Sequence, residues 1–214
     1  MAPLARPLFR AAIARALEVS LAAAVRHFRG ALAVAHWDVP AAASAASLTA
    51  LEAEAEAEGG TGDARADGAP LRPPVRLVAH PALAVLVNHI LFGLNELRAC
   101  APYELRARFF EAAAAALEAC GGALCECAGS LSGTARAQLV EMALALVETA
   151  APHVAACVDA VCGHWVSADT LGAALAAQAA AGGGCGSREA AVASVSARVR
   201  ASVSFLFGES KSDS

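Results

Sequence analysis

The stretch PALAVLVNHILFGLNELRACAP, residues 81–102, restricts the fold more than any other part of the chain. Proline stands at each end, and between them Leu83, Val87, Ile90, Leu91, Leu94 and Leu97 recur mainly at spacings of three and four. That period belongs to a helix with one broad apolar face. A bilayer crossing needs about 20 largely apolar residues in sequence. Here Asn88, His89, Asn95 and Glu96 cut the run into Ala82–Val87 and Ile90–Leu94, so no transmembrane segment is expected and the stripe is predicted to pack on other helices. Pro81 is expected to open this helix, since a first-turn residue needs no amide hydrogen. Pro102 should end it and open the next.

Helical periods recur along the rest of the chain. After Pro7, the residues Leu8, Ile13, Leu17, Leu21, Val25, Phe28 and Leu32 predict one long helix over residues 1–37. At 1.5 Å per residue, 30 residues reach about 45 Å, which reads as a rod set apart from a compact core. Residues 38–74 then turn to AAASAAS, EAEAEAE and GGTGDARADGAP. Such residues bury too little to offset the entropy of ordering them, so a disordered acidic and Gly-rich linker is expected. Its glutamates, Glu52 to Glu58, read as a solvated charge run.

A third helix carries Tyr103, Leu105, Phe109, Phe110, Leu117 and Leu124 and is expected to fade at Gly121, Gly122 and Gly129. A fourth begins near Thr134 with Leu139, Met142, Leu146, Val154, Cys157, Val158 and Val161, and Pro152 predicts a kink or break near Ala150. Ser167 can cap a short fifth helix that runs to Gly182. SVSARVRASVSF, residues 194–205, alternates like a strand, but a lone strand has no ladder partner here, so helix is expected. The predicted fold is all-α: the long helix, the linker, an antiparallel bundle over residues 75–164, short C-terminal helices over 165–207 and a polar tail over 208–214. Four to five helices make up the bundle, and the short connections between them force antiparallel neighbours.

Composition strengthens the helical reading and narrows the function. Of 214 residues 60 are Ala, the strongest helix former. A net charge of −4 leaves no electrostatic footprint for nucleic acid. Arg6, Arg10, Arg15, Arg26 and Arg29 read as a solvated face of the first helix. Seven cysteines, an odd number, follow a start without an apolar leader, which predicts reduced thiols in the cytosol.

The reactive residue types form no convincing centre. Cys120, Cys125 and Cys127, with Cys157, Cys162 and His164, are numerous enough for zinc, but neither group has the knuckle spacing of a structural site. His80 fits a helix cap, and His89 flanks an apolar face as a structural residue. GGGCG at residues 182–186 lacks the Lys-Ser/Thr of a phosphate loop and reads as linker. No catalytic residue, metal or cofactor is expected. Phe205, Leu206 and Phe207 form an apolar group before the tail that either closes the core or anchors a partner.

PPVRLVAHPALAVLVNHILFGLNELRACAPYELR, residues 73–106, resembles the signature region of the eighth subunit of the conserved oligomeric Golgi complex, a vesicle tether. In that family a proline pair and a short extended apolar stretch lead into a helix with Asn, then an Asn-acidic-Leu-Arg group, a Cys and a Pro. The matching residues here are Pro73, Pro74, Asn88, Asn95, Glu96, Leu97, Arg98, Cys100 and Pro102. Residues 2–32 and 136–163 resemble the family helices on either side, in the same order. The resemblance implies the C-terminal part of a non-catalytic, helical-rod subunit without metal or cofactor. It also implies a peripheral place on the cytosolic face of the Golgi membrane, other tether subunits as partners, and a role in intra-Golgi retrograde transport. Asn88, Asn95 and Glu96 are then expected to satisfy backbone or partner groups at a helix junction and fix its register. The competing reading is a self-contained bundle that binds a metal or a small apolar ligand. A further one is an amphipathic membrane-surface helix built on Arg10, Arg26 and Arg29.

Overall fold

The computed structural model describes residues 5–35, 37, 72–163 and 188–207, and every regular element among them is helical. The helices are α1 (Ala5–Ala33), α2 (Pro81–Leu97), α3 (Arg106–Ala128), α4 (Gly133–Ala145), α5 (Ala151–Gly163) and α6 (Arg188–Val203). Short 3-10 turns at Val75–Ala79 and Tyr103–Leu105 lead into α2 and α3, and another at Ser204–Phe207 closes α6. An all-α bundle is therefore present, as the periodicity predicts.

The first helix is not a rod set apart. It buries Ile13, Ala14, Leu17, Leu21, Ala24, Phe28 and Leu32 against its neighbours. Burying each large side chain of that stripe is worth about 1.5–3 kcal/mol, which is what draws α1 into the bundle. It lies antiparallel to α2: Arg10 meets Glu104 just beyond the end of α2, Ser20 meets Gly93, and His27 meets His89. Two details of the expected stripe are corrected. Leu8 is exposed near the start of the helix, and α1 ends at Ala33, before Trp37.

The centre of the bundle is α3, which touches α1, α4, α5 and α6, while α2 bridges α1 and α5. Contrary to the expected fading, α3 runs unbroken through Gly121 and Gly122 to Ala128. Gly121 is where α6 comes close: a Cβ there would stand 3.0 Å from Val203 Cγ1. Across the same contact Arg198 reaches Glu118 at 2.6 Å and Glu111 at 2.7 Å, so α6 runs parallel to α3. At the other flank Arg106 binds Asp159 at 2.7 Å, with both side chains largely covered, and its guanidinium stands 5.0 Å from the Phe110 ring centre.

Pro152 acts as expected, with one refinement. It has no N–H to donate, and its ring would strike the carbonyl of the preceding turn in a regular helix. The chain responds with a π turn over Leu146–Ala150 that joins α4 to α5 without a break. The alternating segment near the C-terminus is helix, and Val195, Val199 and Val203 form its buried line. Two helical stretches, Gly133–Cys162 and Glu189–Phe207, are long and apolar enough to cross a membrane by length and composition; both give apolar side chains to the bundle core.

The arginines of α1 lie on a solvated face, with Arg6, Arg15, Arg26 and Arg29 exposed, and some carry surface ion pairs. Arg10 pairs with Glu104 at 2.6 Å, Arg29 with Glu126 at 3.7 Å, and Arg108 of α3 returns to Glu18 at 2.6 Å. Exposed pairs of this kind contribute little each, ~0–1 kcal/mol. The linker up to residue 71, the short helix expected from Ser167, GGGCG at 182–186, His164 and the polar tail lie outside the described residues.

Candidate partner-contact face

The signature region is built around α2. Leu77 N–H donates to the Pro74 carbonyl at 3.1 Å, so the stretch after the proline pair is a 3-10 turn, where the resemblance implied an extended one. Pro81 occupies the first turn and His80 the N-cap, although the His80 side chain makes no capping bond. Leu83, Leu86, Val87, Ile90, Leu91 and Leu94 are buried, and Leu97 nearly so, which is the face the spacing predicts.

The polar signature residues do not share one environment. Asn88 and Glu96 are exposed, while Asn95 and Arg98 are half-buried at the end of the helix. No polar or charged residue is buried among those described. Asn88 and Glu96 therefore bear no desolvation cost within this chain, and the expectation that they fix a register inside it is corrected: they point outward. Between them sits Phe92, 69% exposed. Pro81, Asn88, Phe92 and Glu96 follow one line opposite the core, so the outer face of α2 presents an aromatic ring flanked by an amide and a carboxylate. The spacing of the apolar residues already leaves Phe92 off the buried stripe, and that is the signal by which this position is legible.

The C-terminal aromatic group divides. Leu206 is buried, Phe207 packs half-buried against the core, and Phe205 is 69% exposed. Of the three, Phe205 is the one available to a partner.

Four of the described thiols sit in places that quench reactivity. Burial pushes Cys120 and Cys162 up to about 12, and burial with the neighbouring Glu126 also raises Cys125 and Cys127. Such thiols are protonated at neutral pH and are poor nucleophiles. Among the described residues no three His, Cys, Asp or Glu side chains gather as metal ligands. Two pairings escape the sequence reading. Cys157 Sγ lies 3.5 Å from His153 Nε2, an i,i+4 pair that helical spacing could have flagged. His27 stacks against His89 across α1 and α2, and nothing in the linear order signals that contact. Between α1 and α3 there is also an open surface groove of about 480 Å³ over Leu21, Val25 and four alanines of α3.

Burial lowers the pKa of His153 and of His80 below the ordinary histidine value of 6.5. The unfolded chain then binds protons that the folded chain refuses, so stability is complete above about pH 6.5 and falls as pH drops toward the folded-state pKa. We expect melting temperature to decline from pH 7.5 to 5.5, and His153→Gln to flatten that decline. An unchanged slope in the variant would remove His153 from the cause.

No protein family, curated protein or solved structure matches this chain.

Proposed function

We propose that this chain is a non-catalytic helical scaffold of the conserved oligomeric Golgi complex type, corresponding to the C-terminal part of the eighth subunit. In this reading it acts through helix packing with other tether subunits on the cytosolic face of the Golgi membrane. The observation that carries the reading is the outer face of α2, where Phe92 stands 69% exposed inside the signature stretch. A large aromatic side chain on a water-facing line is characteristic of a contact anchor, since aromatic residues dominate binding energy at interfaces. The neighbours Asn88 and Glu96, both part of the resemblance to the tether subunit, give that anchor a polar rim. The bundle also has the character such a role needs: a continuous apolar core and buried, protonated thiols.

The test is affinity capture from cell extract at mild salt with the wild-type chain and with Phe92→Asp. Wild type is expected to recover other subunits of the tether. Phe92→Asp is expected to lose at least about tenfold of that recovery, while its circular dichroism stays that of the wild type, because the residue lies outside the core. Recovery of no tether subunit by the wild type would overturn the assignment. Equal recovery by both chains would move the contact away from α2, with Phe205→Asp as the next variant to measure.

A further inference from the structure

We propose that His27 of α1 and His89 of α2 form a two-histidine site for a borderline divalent transition-metal ion such as Zn²⁺, clamping the two helices together. The rings face each other with centroids 4.1 Å apart and planes inclined by 35°. His89 Nδ1 lies 3.0 Å from the Val85 carbonyl oxygen. A carbonyl only accepts, so this contact puts the ring proton on Nδ1 and leaves the Nε2 lone pair free. Metal-binding histidines are held in the same way, with the second ring nitrogen donating to a carbonyl that fixes tautomer and orientation.

His27 is exposed, and its ring can turn about its side-chain torsions without disturbing the core. With zinc–nitrogen bonds of about 2.0–2.1 Å, two nitrogens on a tetrahedral ion stand about 3.3 Å apart. The same bonds hold the two ring centres about 5 Å apart, so the 4.1 Å stack has to open by about 1 Å, which the exposed His27 supplies by turning about its side-chain torsions. Imidazole nitrogen suits zinc, copper and nickel and does not suit magnesium or calcium, which defines the class of ion. No third His, Cys, Asp or Glu among the described residues joins the pair, so the remaining coordination positions fall to water and the affinity is below that of a four-ligand structural site. Bound metal would tie α1 to the signature helix beside Phe92, yet the site stands on its own geometry and does not depend on the tether reading.

The experiment titrates the metal-free full chain with Co²⁺, a coloured substitute for zinc, and separately measures the melting temperature with Zn²⁺. The expected result is saturable binding without a thiolate-to-cobalt charge-transfer band, and a melting temperature raised by Zn²⁺. Binding should weaken at least tenfold in His27→Ala and again in His89→Gln. His27 is exposed, so His27→Ala keeps the fold, which circular dichroism checks. Failure to saturate, a thiolate band, or unchanged binding in His27→Ala would overturn the proposal.

Discussion

Leu94→Asp yields a chain with no cooperative unfolding transition. Leu94 is completely buried in the last turn of α2, the helix that joins α1 to α5. The substitution removes a core side chain, at a cost of about 2–5 kcal/mol for loss of its contacts. It also puts a carboxylate into the apolar core, and burying a charged group there costs several kcal/mol more. The sum is comparable to the whole stability of a domain, about 5–15 kcal/mol. Leu94→Ala separates the two effects: it loses only the contact and cavity part, so it should melt cooperatively at a lower temperature. Leu97→Asp should be milder than Leu94→Asp, because Leu97 is 8% exposed at the end of the helix and a carboxylate there can turn to water. Thermal and denaturant melts followed by circular dichroism measure all three, and a wild-type midpoint for Leu94→Asp would refute the packing described for α2.

What the sequence disclosed, and what it withheld, follows from the range of each signal. Periodicity is local, so the buried line of α2 was readable from spacing, whereas residues 194–205 alternate like a strand and their helical state followed only from the absence of a ladder partner. Pro152 was readable for the same reason, since its missing N–H acts within one turn. The place of α1 was not, because its stripe of Ile13, Leu17, Leu21 and Phe28 is the same whether it packs at home or in a partner. Only the pairing of distant residues decides that, through contacts such as Arg10 with Glu104. The glycines misled for a related reason. Gly121 and Gly122 carry a poor helix propensity, but at Gly121 a backbone without Cβ is what allows α6 to approach, and tertiary packing overrides the local preference. At the candidate face, Phe92 was passed over although its place off the stripe marks it; Asn88 and Glu96 were noticed as polar and expected to satisfy backbone or partner groups at a helix junction, and both are exposed on the outer face. The His27–His89 contact depends on the antiparallel register of two helices separated by the linker, information absent from either helix alone.

Gly93→Leu is the second substitution expected to break the molecule, by a route opposite to that of Leu94→Asp. At this position α1 and α2 come close together: a Cβ on Gly93 would meet the Ser20 hydroxyl and come within 2.8 Å of Ser20 Cβ. The hydroxyl can rotate away, but the Ser20 Cβ is fixed to the backbone of α1, so the helices themselves must separate. Overpacking of this kind costs about 1–3 kcal/mol for added methylenes in a well-filled core, and a whole isobutyl group between two backbones should cost at least the upper end. Ala at the same site sets two effects against each other, since replacing Gly in a helix interior gains about 1 kcal/mol of propensity while the new methyl strikes Ser20. Removing the obstacle tells them apart. In a Ser20→Gly background the clash with the Ser20 side chain disappears, so Gly93→Ala should become stabilising there, whereas in the wild-type background it should be neutral or destabilising. Denaturant melts of the four chains give the coupling between the two positions directly. A coupling near zero would mean that α1 and α2 do not meet at Ser20 and Gly93, and the antiparallel register that brings His27 to His89 would fall with it.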